Sequence, residues 1–167
     1  MNTKQFVRVA MLTALACVLT IVPKVPIGGG YVHFGDCIIY VAAMILGPIP
    51  GAIVGAIGHS LADFISGYPI FCIPTFIIKG IEGLVAGMIA HKYSVNKNFV
   101  NVYTILASVV AMVIMVVGYF LGGSVLEGVS ASIGSVPSNA MQAVASLIIF
   151  FVLGFALYKA KIYKYFD

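Results

Sequence analysis

DCIIYVAAMILGPIPGAIVGAIGHSLADFIS, residues 36–66, decides how often this chain crosses a membrane. Read as one element, it gives a single helix over residues 37–57. Read as two, it breaks at Gly47, Pro48, Pro50 and Gly51, where two prolines so close together disfavour a continuous helix. Working outward, four further spans, 6–22, 74–91, 99–121 and 139–158, are each apolar over about the 20 residues a crossing needs.

Charge placement selects between five and six spans, because Lys and Arg near span ends are biased to the cytoplasmic side. With six, both termini are cytoplasmic, and Lys4, Arg8, Lys92, Lys97, Lys159, Lys161 and Lys164 all flank spans on that side. With five, Lys92 and every later member of that set would face outward. The sequence therefore predicts an all-α integral membrane protein of six transmembrane helices. It forms a single domain over residues 1–167, multi-pass in the plasma membrane, with spans near 6–22, 36–47, 49–66, 74–91, 99–121 and 139–158. The second is short for a full crossing and is expected to be tilted or incompletely inserted. Segments 23–35, 67–73 and 122–138 face outward, and the first and last are rich enough in Gly, Ser and Pro to fold as lids.

Composition agrees. Of 167 residues, 62% are hydrophobic and 8% charged, with a mean hydropathy of +1.12, so lipid is the solvent. The sequence pI near 9.0 does not indicate a nucleic-acid partner, because nine Lys and Arg residues are too few and scattered to track phosphates. Cys17, Cys37 and Cys72 lack CxxC spacing and read as packing residues. Lys4 and Arg8 before an apolar run could imitate a signal peptide, but no A-x-A-like site follows, and a retained first helix is expected.

Polar side chains inside a membrane are costly, so each is a candidate for function. His59 and Asp63 share a face in the outer half of the third span. Thr75, Lys79 and Glu82 recur at helical spacing in the fourth, Asn139 and Gln142 occupy the first turn of the sixth, and Tyr119 closes the fifth. Asp36 opens the second just after Tyr31 and His33. The outer halves thus converge on carboxylate, ammonium, amide, imidazole and phenol groups, an outward-facing cup suited to a small heterocycle with hydroxyl groups. Bland readings stand beside this one. Lys79 could be a structural ion pair with Asp63 or Glu82, His59 an interhelical hydrogen-bonding residue, Asp36 or Asn139 a helix cap, and Glu127 a solvated loop acid. Small residues in Gly51, Gly55, Gly83 and Gly87 suit helix docking, and Ala10 and Ala14 offer a surface to a partner subunit.

No GxxxxGK loop, metal-ligand spacing or nucleophilic Ser motif is present in the sequence. The chain is expected to be a transport subunit, not an enzyme, with neither cofactor nor metal, and ATP hydrolysis belongs to partners.

Residues 31–87 resemble the substrate-binding S components of energy-coupling factor (ECF) vitamin importers. The similarity is narrowest to the riboflavin-transporter-like branch that also contains proteins for hydroxymethylpyrimidine and pyridoxine-type substrates. It is carried by HFGD at 33–36, LGPIPGAIVGAIG at 46–58, LADFISGY at 61–68 and PTFIIKG at 74–80, with Asn139 and Gln142 resembling the amides that open the last helix. The resemblance implies a six-helix S-component fold and a vitamin site near the outer surface, covered by the loop after the first helix. It also implies a complex with a transmembrane coupling protein and two cytoplasmic ATPase subunits. Ala10 and Ala14 match the AxxxA pattern that faces the coupling protein, and cargo moves inward as the S component topples. His59 stands where that branch carries a small residue.

The leading expectation is a high-affinity binding subunit for a water-soluble vitamin or precursor, pyridoxine-type or hydroxymethylpyrimidine first and riboflavin next. Asn139, Gln142, Lys79, Asp63 and Tyr31 are the foremost ligand contacts, followed by Tyr119, His33, Thr75 and Glu82. A different class, a proton-coupled permease, would use His59, Asp63, Lys79 and Glu82 as a relay. An intramembrane enzyme or a scaffold subunit fits the polar groups less well.

Overall fold

The computed structural model describes residues 2–27, 30–94 and 100–160; Lys97, Lys161 and Lys164 lie outside them. Six α-helices follow in order: α1 Thr3–Ile21, α2 Asp36–Leu46, α3 Pro48–Ile65, α4 Cys72–Ser94, α5 Val102–Leu126 and α6 Val129–Lys159. Between α1 and α2 a small antiparallel hairpin pairs β1, Val25–Ile27, with β2, Gly30–Val32, setting Pro26 opposite Tyr31. A 3-10 turn, Pro69–Phe71, leads into α4.

Local chemistry sets the boundaries. Asn2 caps α1 by accepting the Gln5 N–H at 2.8 Å, and Asn101 caps α5 by accepting from Tyr103 and Thr104. The break inside residues 36–66 falls at Gly47, whose φ of 107° suits glycine, and Pro48 starts α3 where no N–H is needed.

Five helices are long and apolar enough to cross a membrane. The exception, α2, has 11 residues and spans about 16 Å, roughly half of a hydrocarbon core. It is shielded by protein rather than lipid. All its residues but Ile45 are buried, and α1, α3, α4 and α6 pack around it. Apolar side chains left exposed on the outer helices, among them Phe6, Met11, Val113, Leu121, Ile148 and Val152, form the surface that lipid covers.

Glycines bring α3 and α4 together. A Cβ on Gly83 would collide with the Gly51 backbone, one on Gly55 with the Lys79 carbonyl, and one on Gly87 with Pro48. The docking expected of these glycines is therefore a backbone-to-backbone seam.

The segment expected to loop outward at 122–138 is instead mostly helix. Leu126 ends α5, Glu127 and Gly128 make the turn, and α6 runs 31 residues from Val129 through Pro137. Asn139 and Gln142 consequently lie well inside α6, not in its first turn, and Asn139 is no cap. Gly, Ser and Pro read as loop in isolation, but here tertiary contact prevails. Ser132 sits against Gly123 of α5, while the Ser135 and Ser138 hydroxyls bond back to the Ser132 and Ser135 carbonyls at 2.9 Å.

Candidate functional site

Helices α1, α3, α5 and α6 meet beneath the hairpin around a cavity of about 690 Å³. Its wall takes Tyr31 from β2, His33 from the following loop, His59 and Asp63 from α3, Tyr119 from α5, and Asn139 and Gln142 from α6. Thr75, Lys79 and Glu82, expected to touch a ligand, do not line it. Thr75 lies behind Tyr119, its hydroxyl 3.0 Å from the phenol, and Lys79 and Glu82 are buried deeper.

Those two belong to a charged hub. Lys79 Nζ donates to Asp36 Oδ1 at 2.7 Å and approaches Glu82 Oε2 at 2.9 Å, all three side chains being fully buried. Gln142 Nε2 donates to Asp36 Oδ2 at 2.9 Å, His59 Nε2 stands 3.1 Å from Asp36 Oδ1, and the Tyr40 hydroxyl donates to Glu82 Oε1 at 2.9 Å. The lysine therefore bridges Asp36 and Glu82; Asp63, one of its two expected partners, is not paired with it. Asp36 is no cap: the N-cap of α2 is Gly35, and the carboxylate is spent on three other helices. Buried charges persist only when paired and hydrogen-bonded, and this hub meets that demand with groups from α2, α3, α4 and α6. Gln142 is the link outward, since it both lines the cavity and holds Asp36.

From the sequence, Asp36 is weighed as a polar candidate or helix cap without being made a ligand contact, and Lys24 is not singled out. Each carried a signal. Asp36 is an acid heading an apolar helix, which calls for a cation, and Lys24 is a lysine in an outward segment, against the cytoplasmic bias of the others. Lys24 lines the cavity, its ammonium 4.5 Å from the Tyr31 ring centroid and 5.5 Å from that of Tyr68. Burial lowers its pKa, and the Asp63 carboxylate pulls in the opposite direction. Glu127, read as a solvated loop acid, is exposed and stands at the cavity rim.

His33 is neutral. Its Nδ1 accepts the Gly35 N–H at 3.2 Å, which puts its proton on Nε2, and burial pushes its pKa down to about 3. Burial, with Asp63 adding to it, likewise raises the Tyr31 phenol. His33, Asp36 and His59 place one potential ligand atom each within 4.8 Å of one another. With Lys79 already on Asp36 and Gly35 on His33, the cluster is built as a hydrogen-bonded hub rather than a vacant cation cage.

Over residues 1–159 the chain matches the family described as ECF-type riboflavin transporter, S component. It is 35% identical over 144 residues to an "Uncharacterized protein in gap 3'region" of Pyrococcus woesei, covering 85% of this chain and 93% of that one. Over 155 residues it is 28% identical to the thiamine precursor transporter HmpT of Lactococcus lactis subsp. cremoris, covering 91% and 86%. Among solved structures, the S component of a bacterial ECF transporter superposes with a TM-score of 0.75 at 24% identity, covering 95% of this chain and 98% of that one, a likeness of fold.

Proposed function

This chain belongs to the family of ECF-type riboflavin transporter S components, and from that premise we propose that it captures a pyridoxine-type or hydroxymethylpyrimidine vitamin precursor in the cavity beneath the hairpin. An S component is a membrane-embedded substrate-binding subunit, not an enzyme, and membership implies a small-molecule substrate and an energising module. The observation that carries the proposal is the cavity itself. Its volume of about 690 Å³ lies in the range of small-molecule sites, and phenol, carboxylate, imidazole and amide groups face it together. Among the relatives, the thiamine precursor transporter favours the hydroxymethylpyrimidine reading; riboflavin by the same mechanism is the alternative.

In this reading Asn139, Gln142, Asp63, Tyr31, His33 and Tyr119 contact the ligand, while Lys79, Glu82 and Thr75 hold the wall from behind. The hairpin end faces outward, and both termini are cytoplasmic, in keeping with Lys4, Arg8, Lys92 and Lys159 at the far ends of their helices. Ala10 and Ala14, both exposed on α1, meet a transmembrane coupling protein that works with two cytoplasmic ATPase subunits.

The test is calorimetry and thermal shift on detergent-purified protein with pyridoxine, pyridoxamine, hydroxymethylpyrimidine, riboflavin, thiamine, pantothenate and folate. A ligand at 100 times its Kd adds about 2.7 kcal/mol, or about 5–11 °C of melting temperature. One tight binder per chain supports the reading. Silence across the panel in folded protein overturns it.

A further inference from the structure

Two acids line the cavity among the described residues, Glu127 exposed at its rim and Asp63 buried in its wall, and the buried one is not consumed by the fold. Asp36 and Glu82 are neutralised by Lys79 and its neighbours, as described above. Asp63 is 6% exposed and lines the cavity. Its Oδ1 meets the Tyr31 hydroxyl only at 3.5 Å, the outer limit of a hydrogen bond. Its Oδ2 is buried without a partner in hydrogen-bonding geometry among the described residues. The Thr75 hydroxyl is a hydrogen-bonding neighbour of this carboxyl, shared with the Tyr119 phenol 3.0 Å away, so these hydroxyls serve it only weakly. A buried carboxylate left short of donors takes them from whatever enters the site.

The surroundings narrow what can enter. Tyr31 and Tyr68 lie with centroids 6.0 Å apart and planes tilted by 34°, presenting ring faces beside Asp63. The Lys24 ammonium lies over both rings and interacts electrostatically with Asp63. A cation over the tyrosines and near the acid thus occupies the place where a flat ring bearing a positive or N–H-rich substituent would sit.

Resting on the reading of this cavity as the substrate site, we propose that Asp63 is its specificity-determining residue. It reads an amino group on a flat nitrogen heterocycle that lies against Tyr31 and Tyr68 and displaces the Lys24 ammonium. An aminomethyl group enters as an ammonium and adds an ion pair to its hydrogen bond with the carboxylate. A ring amino group offers two N–H donors where the hydroxyl analogue of a pyrimidine rests as its oxo tautomer and offers the carboxylate an acceptor. An amino group is therefore favoured over a hydroxyl at the same position.

Two matched pairs test this by calorimetry on the full chain in detergent: pyridoxamine against pyridoxine, and hydroxymethylpyrimidine against the analogue whose ring amino group is replaced by hydroxyl. In the wild type the amino member of at least one pair is expected to bind about tenfold tighter or more. Asp63→Asn, whose amide both donates and accepts, is expected to bring that ratio within about threefold. Lys24→Met, which removes the resident cation without touching Asp63, is expected to widen it. Equal binding of both members in the wild type, a ratio that survives Asp63→Asn, or a ratio narrowed or unmoved by Lys24→Met would overturn the proposal. If riboflavin binds and neither pair does, the role of Asp63 falls while the substrate site stands. If no probe binds folded protein, both fall.

Discussion

Replacing Lys79 by Met withdraws the cation that bridges Asp36 Oδ1 at 2.7 Å and Glu82 Oε2 at 2.9 Å, with none of the three side chains exposed. Breaking a buried pair from one side costs about 3–5 kcal/mol, because the surviving charge is left uncompensated. Here two carboxylates survive. Gln142 still serves Asp36 and Tyr40 still serves Glu82, so the expected cost stays near the top of that range, about 5 kcal/mol. For a chain of this size that is a fall in melting temperature of about 10–20 °C. Asp36→Asn is the comparison: Lys79 keeps Glu82, and the loss is one charge-assisted bond, about 1.5–3 kcal/mol, or about 3–12 °C. Adding Glu82→Gln to Lys79→Met removes one of the two stranded acids, so the double variant should melt above the single one. Nine tyrosines and no tryptophan make tyrosine fluorescence the natural signal for melting the purified protein. If Lys79→Met melts higher than Asp36→Asn, or if Glu82→Gln rescues nothing, the hub is not held together as argued.

His33 should make the protein acid-sensitive. Its folded pKa of about 3 lies below the ordinary 6.5, so the unfolded chain binds a proton that the folded one refuses. Stability is then lost as pH falls from 6.5 toward 3, at up to about 1.4 kcal/mol per pH unit; His33→Asn, which keeps an acceptor for Gly35, should flatten that slope in melts between pH 7 and 4.5. Gly83→Ala places a methyl into the Gly51 backbone and should cost about 1–3 kcal/mol, whereas Gly134→Ala, with open space around it, should be neutral or stabilise by up to about 1 kcal/mol. Equal melting temperatures for the two would show that the seam tolerates separation. Ala14→Leu should leave melting and ligand affinity intact and abolish uptake in cells that supply the energising module; undiminished uptake would remove Ala14 from the partner surface. Asn139→Ala, losing one neutral hydrogen bond of about 1 kcal/mol, should weaken ligand binding roughly fivefold without lowering the melting temperature.

Hydropathy and proline made the helices legible, down to the break between α2 and α3 at Gly47. Backbone hydrogen bonds in lipid must be satisfied within the segment, which ties apolar length directly to helix. The start of α6 was hidden for the converse reason: residues 129–138 have loop-like composition, and only contact with α5 makes them helical. Tyr31, Asp63, Tyr119, Asn139 and Gln142 stood out because polarity in an apolar setting is conspicuous, and the structure places each on the cavity wall. Depth within the site was not readable. Whether Lys79 faces a ligand or a carboxylate depends on Asp36, 43 residues away, and Asp36 in turn on Gln142, 106 residues further on. Local spacing cannot report such pairings. Nor was the hairpin visible, because Pro23, Pro26 and the glycines of 28–30 obscure any alternation.

Beneath the cavity the central helix acts as a stopper. Tyr40 meets Phe150 edge-on, centroids 5.5 Å apart, and Ile38, Ile39, Ala42, Ala43 and Met44 are buried behind them. Moving one elementary charge across a membrane is worth about 2.3 kcal/mol per 100 mV, so a continuous file of water through the bundle would discharge the potential of the membrane that holds it. A short helix wrapped in protein closes the bundle beneath the cavity with buried, mostly apolar side chains. Under the proposed function, cargo in the cavity would then reach the other side only if the protein itself moved.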